Sequence, residues 1–258
     1  MLSISRASLG ALLLVVSLGL HAKVTDAEAA RLGQDLTPLG AEKYGNADGS
    51  IPTWTGGHVQ DKPADGQERW PESFPLYAKD APLYTITQDN MAQHAGKLTP
   101  GAKALLARFP KSYKMPVYVS RRTANAPERI YTATRKNALS ASLANEGESL
   151  VDAVIGIPFP IPQSGIEAVW NHKLRYRGDS LRRYNTQLAV QANGAFQPYI
   201  QREDALFHYN LPNQTAAGLE NVVLYFMQFA TAPERQAGNV VLVHETMDQV
   251  KEPRKAWI

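Results

Sequence analysis

Histidines, carboxylates and basic side chains are the groups of this sequence that could do chemistry near neutral pH, and their spacing limits what they can do. From Lys23 onward the histidines are His58, His94, His172, His208 and His244. No two stand four residues apart and no His-Glu-x-x-His is present, so no helical metal site is expected. The chain has no cysteine. That removes disulfides, thiolate ligands, a cysteine nucleophile and a cysteine-linked lipid anchor. Gly-x-Ser-x-Gly, Gly-x-x-x-x-Gly-Lys and Gly-x-Gly-x-x-Gly are missing as well. Carboxylates are plentiful, but nothing local pairs two of them as acid and base. Asn46-Ala47-Asp48-Gly49-Ser50 resembles the start of a calcium loop, yet the twelfth position, where a bidentate glutamate belongs, is Gly57. A tight turn is the better reading. The expectation is a protein without catalytic residues, metal or cofactor.

The apolar residues say more. Leu219 to Ala230 alternates as a strand, with Val223, Tyr225, Met227 and Phe229 on one face and Val222, Leu224 and Phe226 on the other. A half-wet strand would be polar on one side. Val240-Val241-Leu242-Val243 repeats the pattern. Two readings follow: a central strand pair packed on both faces, or a curved sheet with one face lining a hydrophobic cavity. In the second, Leu242 joins the lining, and Phe159 and Ile161 form its lid or rim. Between His172 and Arg183 a basic run contains Lys173, Arg175 and Arg177, expected on one side of an extended segment opposite Leu174 and Tyr176. It is either a solvated face or a contact for a lipid headgroup or an anionic membrane surface.

These residues need elements to position them. Thr25 with Glu28 reads as a capping box opening a short helix that Gly33 stops. Residues 34–85 read as an irregular arm wrapped over the body, with Trp54, Trp70, Phe74 and Tyr77 to bury. Helices are expected at 87–96 and 100–108, the second burying Ala102, Leu105, Leu106 and Phe109. Strands are expected at 115–119, 129–134, 185–191, 196–201, 206–209, 219–230 and 240–247, with a hairpin turn at Asn193-Gly194. The proline-rich run 156–162 must be extended. Ser164 with Glu167 then opens a helix bearing Ile166, Val169 and Trp170 as its apolar stripe. Lys173–Arg177 should follow in extended form, closed by Gly178. Short links between consecutive strands favour an antiparallel sheet. The fold class is therefore α+β: a helical and irregular N-terminal arm over 23–112, then a large curved antiparallel sheet over 113–258, packed together as one unit.

Length and charge agree with this. The chain of 258 residues is 44% apolar and 20% charged, with a mean hydropathy of −0.31, as in an ordinary globular protein. Net charge is only +3, which argues against a nucleic-acid partner. Met1 to Arg6 carries one positive charge, Ala7 to Leu20 carries none, and polar sequence starts at Lys23. This reads as a cleavable signal peptide over 1–22, the alternative being an uncleaved anchor. With no cysteine after it, the product is expected in the periplasm and not as a lipoprotein.

Two stretches carry a family resemblance. One is Leu36-Thr37-Pro38-Leu39-Gly40-Ala41-Glu42-Lys43 with Gly45-Asn46-Ala47-Asp48-Gly49-Ser50-Ile51-Pro52. The other runs from Gly156-Ile157-Pro158-Phe159-Pro160-Ile161-Pro162 through Glu167-Ala168-Val169-Trp170-Asn171-His172 to Arg175-Tyr176-Arg177-Gly178. Together they resemble a domain-of-unknown-function family of Gram-negative envelope proteins often labelled "outer membrane lipoprotein-sorting protein". The resemblance implies the open half-barrel of the Lol-type carriers, with a cavity for acyl chains. It also implies partners in the envelope: an inner-membrane permease and an outer-membrane protein. It implies no catalytic residues. Family members continue past Arg254-Lys255-Ala256-Trp257-Ile258, so a C-terminally truncated chain is expected. The function read at this stage is a periplasmic carrier of a lipid or other hydrophobic molecule, with transient membrane contact. The alternatives are a docking subunit of an export complex and an envelope-lipid enzyme.

Overall fold

The computed structural model describes residues 24–58, 77 and 79–258; the expected leader at 1–22 and the side chains of Trp70 and Phe74 lie outside them. The helices are α1 (Asp26–Ala29), α2 (Pro100–Arg108), α3 (Glu128–Ser140) and α4 (Gly165–Leu174). Two small antiparallel ribbons pair β1 (Tyr84–Ile86) with β2 (Met115–Val117) and β3 (Ser142–Ala144) with β4 (Ser149–Val151). The main sheet then follows as β5 (Ser180–Val190), β6 (Phe196–Leu206), β7 (Val222–Ala232), β8 (Val240–Thr246) and β9 (Lys255–Trp257). Its order is sequential and every pair is antiparallel. The architecture is α+β, helices first and a large sheet after, and the sheet is not closed into a barrel.

Local signals placed several elements correctly. Thr25 Oγ1 accepts from the Glu28 N–H at 3.2 Å, and Glu28 Oε2 accepts from the Thr25 N–H at 2.9 Å, which is the reciprocal capping expected. Thr99 Oγ1 caps α2 by accepting from the Ala102 N–H at 3.2 Å, with Pro100 at the first helical position. Gly194 adopts φ +84° in the β5–β6 turn, a conformation that Asn193-Gly194 supplies without strain.

Several expectations need correction. Of 206–209, read as a strand, only Leu206 lies in β6, and His208–Asn210 form a 3-10 turn. Residues 129–134, read as a strand, lie in α3. Their β-branched and aromatic content mimics a strand, but Ile130, Thr134, Asn137 and Ala138 are buried together. That spacing is helical, and burial along it outweighs the weaker β preference. On α2 only Leu106 is buried, while Leu105 and Phe109 are exposed. On α4 the buried stripe is Glu167, Trp170 and Leu174, leaving Ile166 and Val169 exposed. The Trp170 indole donates to Gly147 O at 2.8 Å, and this bond selects the inward face. Finally, Lys173 belongs to the last turn of α4, so Lys173, Arg175 and Arg177 do not alternate along a strand. Lys173 pairs with Glu245 at 3.6 Å, Arg175 donates to His172 O, and Arg177 stacks on Phe207 at 4.3 Å.

The core gathers Leu150, Phe159, Trp170, Leu174, Tyr209, Leu219 and Val223. Beside it, Asn210 is almost fully buried and ties three segments to the root of the sheet. Its Oδ1 accepts from Gly156 N–H at 2.9 Å, its Nδ2 donates to Leu174 O at 3.0 Å, and its own carbonyl accepts from Arg129. The arm is strapped on by Arg122, which donates to Glu42 O at 2.6 Å and Lys43 O at 2.9 Å. Trp54 Nε1 donates to Ala124 O at 2.8 Å. Gly40 is required where the arm meets the proline run: a Cβ there would lie 1.8 Å from Pro160 O, at φ +95°.

Asn210→Ala should cost about 2–4 kcal/mol, because it leaves a buried N–H and a buried C=O without partners. Urea unfolding measures this, with Asn210→Asp expected to recover none of the bond to Leu174 O. A loss under about 0.5 kcal/mol, the level of an ordinary surface change, would remove Asn210 from the framework.

Candidate functional site

Register across the main sheet assembles the candidate site. Ser180, Leu206, Tyr225, His244 and Lys255 align as one cross-strand row. Arg182, Asp204, Met227, Leu242 and Trp257 align as the next, and Tyr184, Arg202, Phe229 and Val240 as a third. Steps of two along a strand keep these rows on one face. Between the first two lies an open trough of about 480 Å3, lined by Ser180, Arg182, Asp204, Leu206, Tyr225, Met227 and Leu242.

The floor is apolar and one wall is charged. Arg182 Nε donates to Asp204 Oδ1 at 2.6 Å, and Arg202 Nη2 approaches Asp204 Oδ2 at 3.1 Å. The Arg202 guanidinium also lies 4.3 Å over the Phe229 ring, a cation–π contact. The hydrogen bond from Arg182, with the charges of Arg182 and Arg202, holds the Asp204 carboxyl below the usual carboxylate range. At the other end, His208, Tyr225, His244 and Trp257 make successive edge-to-face contacts at 5.3, 4.7 and 4.9 Å. The His208 Nδ1–H donates to Val222 O at 2.7 Å, which orients its ring.

Among the expected lining residues, Tyr225, Met227 and Leu242 meet in the trough. Phe229 shares their face one row on, beneath Arg202. Val223 does not: a register shift between Val222 and Leu224 turns it into the core, 3% exposed, with Phe159. Ile161 packs instead with Leu32, Leu36 and Ala138. Arg175 and Arg177 border a crevice of only about 20 Å3 beside Phe207. Sequence reasoning missed Arg182, Asp204 and Leu206 as lining residues. The expected strand began only at 185, and it is the pairing of β5 with β6 from Ser180 onward that shows which residues share the face.

A second cavity of about 390 Å3 lies under the arm, bounded by Thr37, Leu39, Trp54, Arg121, Arg122 and Tyr131. Its cations are engaged, Arg121 with Asp80 at 2.7 Å and Arg122 with the arm carbonyls. Asn46–Ser50 is a turn, in which Asp48 Oδ1 accepts from the Ser50 N–H at 2.9 Å. Among the described residues, no three of His, Cys, Asp and Glu gather as metal ligands.

Since the Asp204 carboxyl is held below its unfolded value of 3.8, its ion pairs stabilise the fold above that pH, and the contribution is lost as pH falls through the folded-state value. An NMR titration should give an Asp204 midpoint below 3.8, rising toward that value in Arg182→Gln. A midpoint that Arg182→Gln leaves in place would mean that Arg182 does not hold the carboxyl.

Comparison with known proteins adds a family. The family described as "Protein of unknown function (DUF1329)" matches residues 85–258. The chain is also 47% identical over 237 residues to "Uncharacterized protein PA3922" of Pseudomonas aeruginosa, covering 92% of this chain and 52% of the relative. It thus spans about half the length of the curated relative it matches. No solved structure matches.

Proposed function

We propose that this chain, which belongs to the DUF1329 family of proteins of unknown function, is a carrier that holds a lipid or similar hydrophobic molecule on the open face of its main sheet. The observation that carries the reading is the trough of about 480 Å3 floored by Leu206, Tyr225, Met227 and Leu242. Its size falls within the ~300–1,000 Å3 typical of small-molecule sites. Apolar contact alone can supply the drive, at roughly 0.8 kcal/mol for each methylene buried. Methionine and aromatic side chains adapt to irregular apolar shapes. An open trough also suits a cargo that must leave again, since release needs no lid to move. The leader-like stretch at 1–22 supports a periplasmic setting for this reading, in which the carrier serves lipid or lipoprotein traffic between an inner-membrane permease and an outer-membrane protein.

The test is mass spectrometry of an organic extract from protein purified out of the periplasm. A stoichiometric hydrophobic compound is expected. Met227→Asp should reduce it at least tenfold while leaving the circular dichroism spectrum unchanged, and Met227→Leu should retain it. A charge in an apolar floor costs several kcal/mol, whereas the isosteric swap costs little. An extract empty of hydrophobic compounds, together with no uptake of added lipid, would end the carrier reading.

A further inference from the structure

From Asn185 through Gln201 the chain contains no Asp, Glu, Lys, Arg or His, although charged residues make up 20% of the whole. This stretch is the outer part of the β5–β6 hairpin with its turn. Register sorts its side chains. Thr186 with Ile200, Leu188 with Pro198, and Val190 with Phe196 share the face that bears the trough. Asn185 with Gln201, Gln187 with Tyr199, and Ala189 with Gln197 take the other. The first face projects large apolar groups into solvent: Val190 is 70% exposed, Phe196 60% and Leu188 53%. Charge returns at the hairpin root: on the trough face Arg182 and Arg202 share the single carboxylate of Asp204, which leaves an excess of one positive charge there, while Arg183 pairs with Glu203 on the other face. Arg177 stands nearby, where burial and then the charges of Arg175 and Arg183 disfavour its own charge.

We propose that the β5–β6 hairpin lies on the surface of an anionic lipid bilayer, with Leu188, Val190 and Phe196 entering the interface and Arg182 and Arg202, which share one carboxylate between them, meeting lipid phosphate. An element settles at a membrane surface when one face is apolar and the other polar, with cations alongside. Here Gln187 and Gln197 stay on the water side while the apolar row is buried. Guanidinium groups match phosphate oxygens by charge and by paired N–H donors. The inference is independent of what the trough holds, but the trough opens on the same face, so docking turns it toward the bilayer.

The absence of cysteine allows single cysteines to carry an environment-sensitive fluorophore. The probe is a vesicle of phosphatidylethanolamine with roughly a quarter phosphatidylglycerol, which supplies the negative surface. The whole chain should float with these vesicles. Labels on Val190→Cys and Phe196→Cys should shift to the blue, and a label on Gln187→Cys should not. The double variant Val190→Asp/Phe196→Asp should lose at least about tenfold in partition, since it removes two buried apolar groups, with its circular dichroism unchanged. No flotation would overturn the proposal, as would flotation with the Val190→Cys label still in water. A vesicle-free dimer dispersed by the double variant would also overturn it, because the face would then belong to a second copy of the chain.

Discussion

Asn210, just past β6, directs its whole side-chain amide at other elements. It accepts from the proline-rich run at Gly156, donates to the end of α4 at Leu174, and its carbonyl takes a guanidinium from α3. A buried amide is costly unless satisfied, so these three segments have one relative placement that satisfies it. That placement brings Trp170 and Leu174 of α4 against Tyr209 and Val223. The sheet therefore meets the helices at its root, while β5 and β6 extend well beyond the core. The bulge at Val223 lies at this junction. It sends one apolar residue of β7 into the core and lets the alternation resume with Tyr225 and Met227 on the opposite face.

The two faces of the sheet differ in an unusual way. The buried face holds a polar string in which Gln228 donates to Gln201, Gln201 to Glu203, and Arg183 to Glu203. Gln201 is only 1% exposed. Water normally takes the polar side of an antiparallel sheet and the core takes the apolar side. Here the polar string is closed by its own hydrogen bonds, and much apolar surface remains on the outer face. Tyr225, Met227 and Leu242 there are flanked by the Arg182–Asp204–Arg202 cluster on one side and by an aromatic row on the other. Contiguous apolar surface of this kind marks a contact with something else.

Much of the local structure could be read directly from residue order. The caps at Thr25 and Ser164, the turn at Asn193-Gly194, the extended proline run and the antiparallel sheet all depend on neighbours within a few positions. So did the choice of Tyr225, Met227 and Leu242, since alternation along a strand is a local property. The errors have a common cause. Residues 129–134 have strand-like composition but pack as a helix, because burial of Ile130 and Thr134 against the proline run decides the matter. Thr134 Oγ1 accepts from the Ile157 N–H at 3.0 Å, a contact that composition does not encode.

The sequence alone determined that this chain makes helices and then an antiparallel sheet rich in two-sided apolar strands, without cysteine or a recognisable catalytic motif. Tertiary structure decided which of those apolar residues face outward together. Val223, Phe159 and Ile161 went to the interior, whereas Arg182, Asp204 and Leu206 joined the trough. Strand periodicity assigns residues to alternate sides, but a single bulge reverses that assignment from there on. Which residues meet across strands is set by register, and register is fixed by hydrogen bonds between segments distant in sequence.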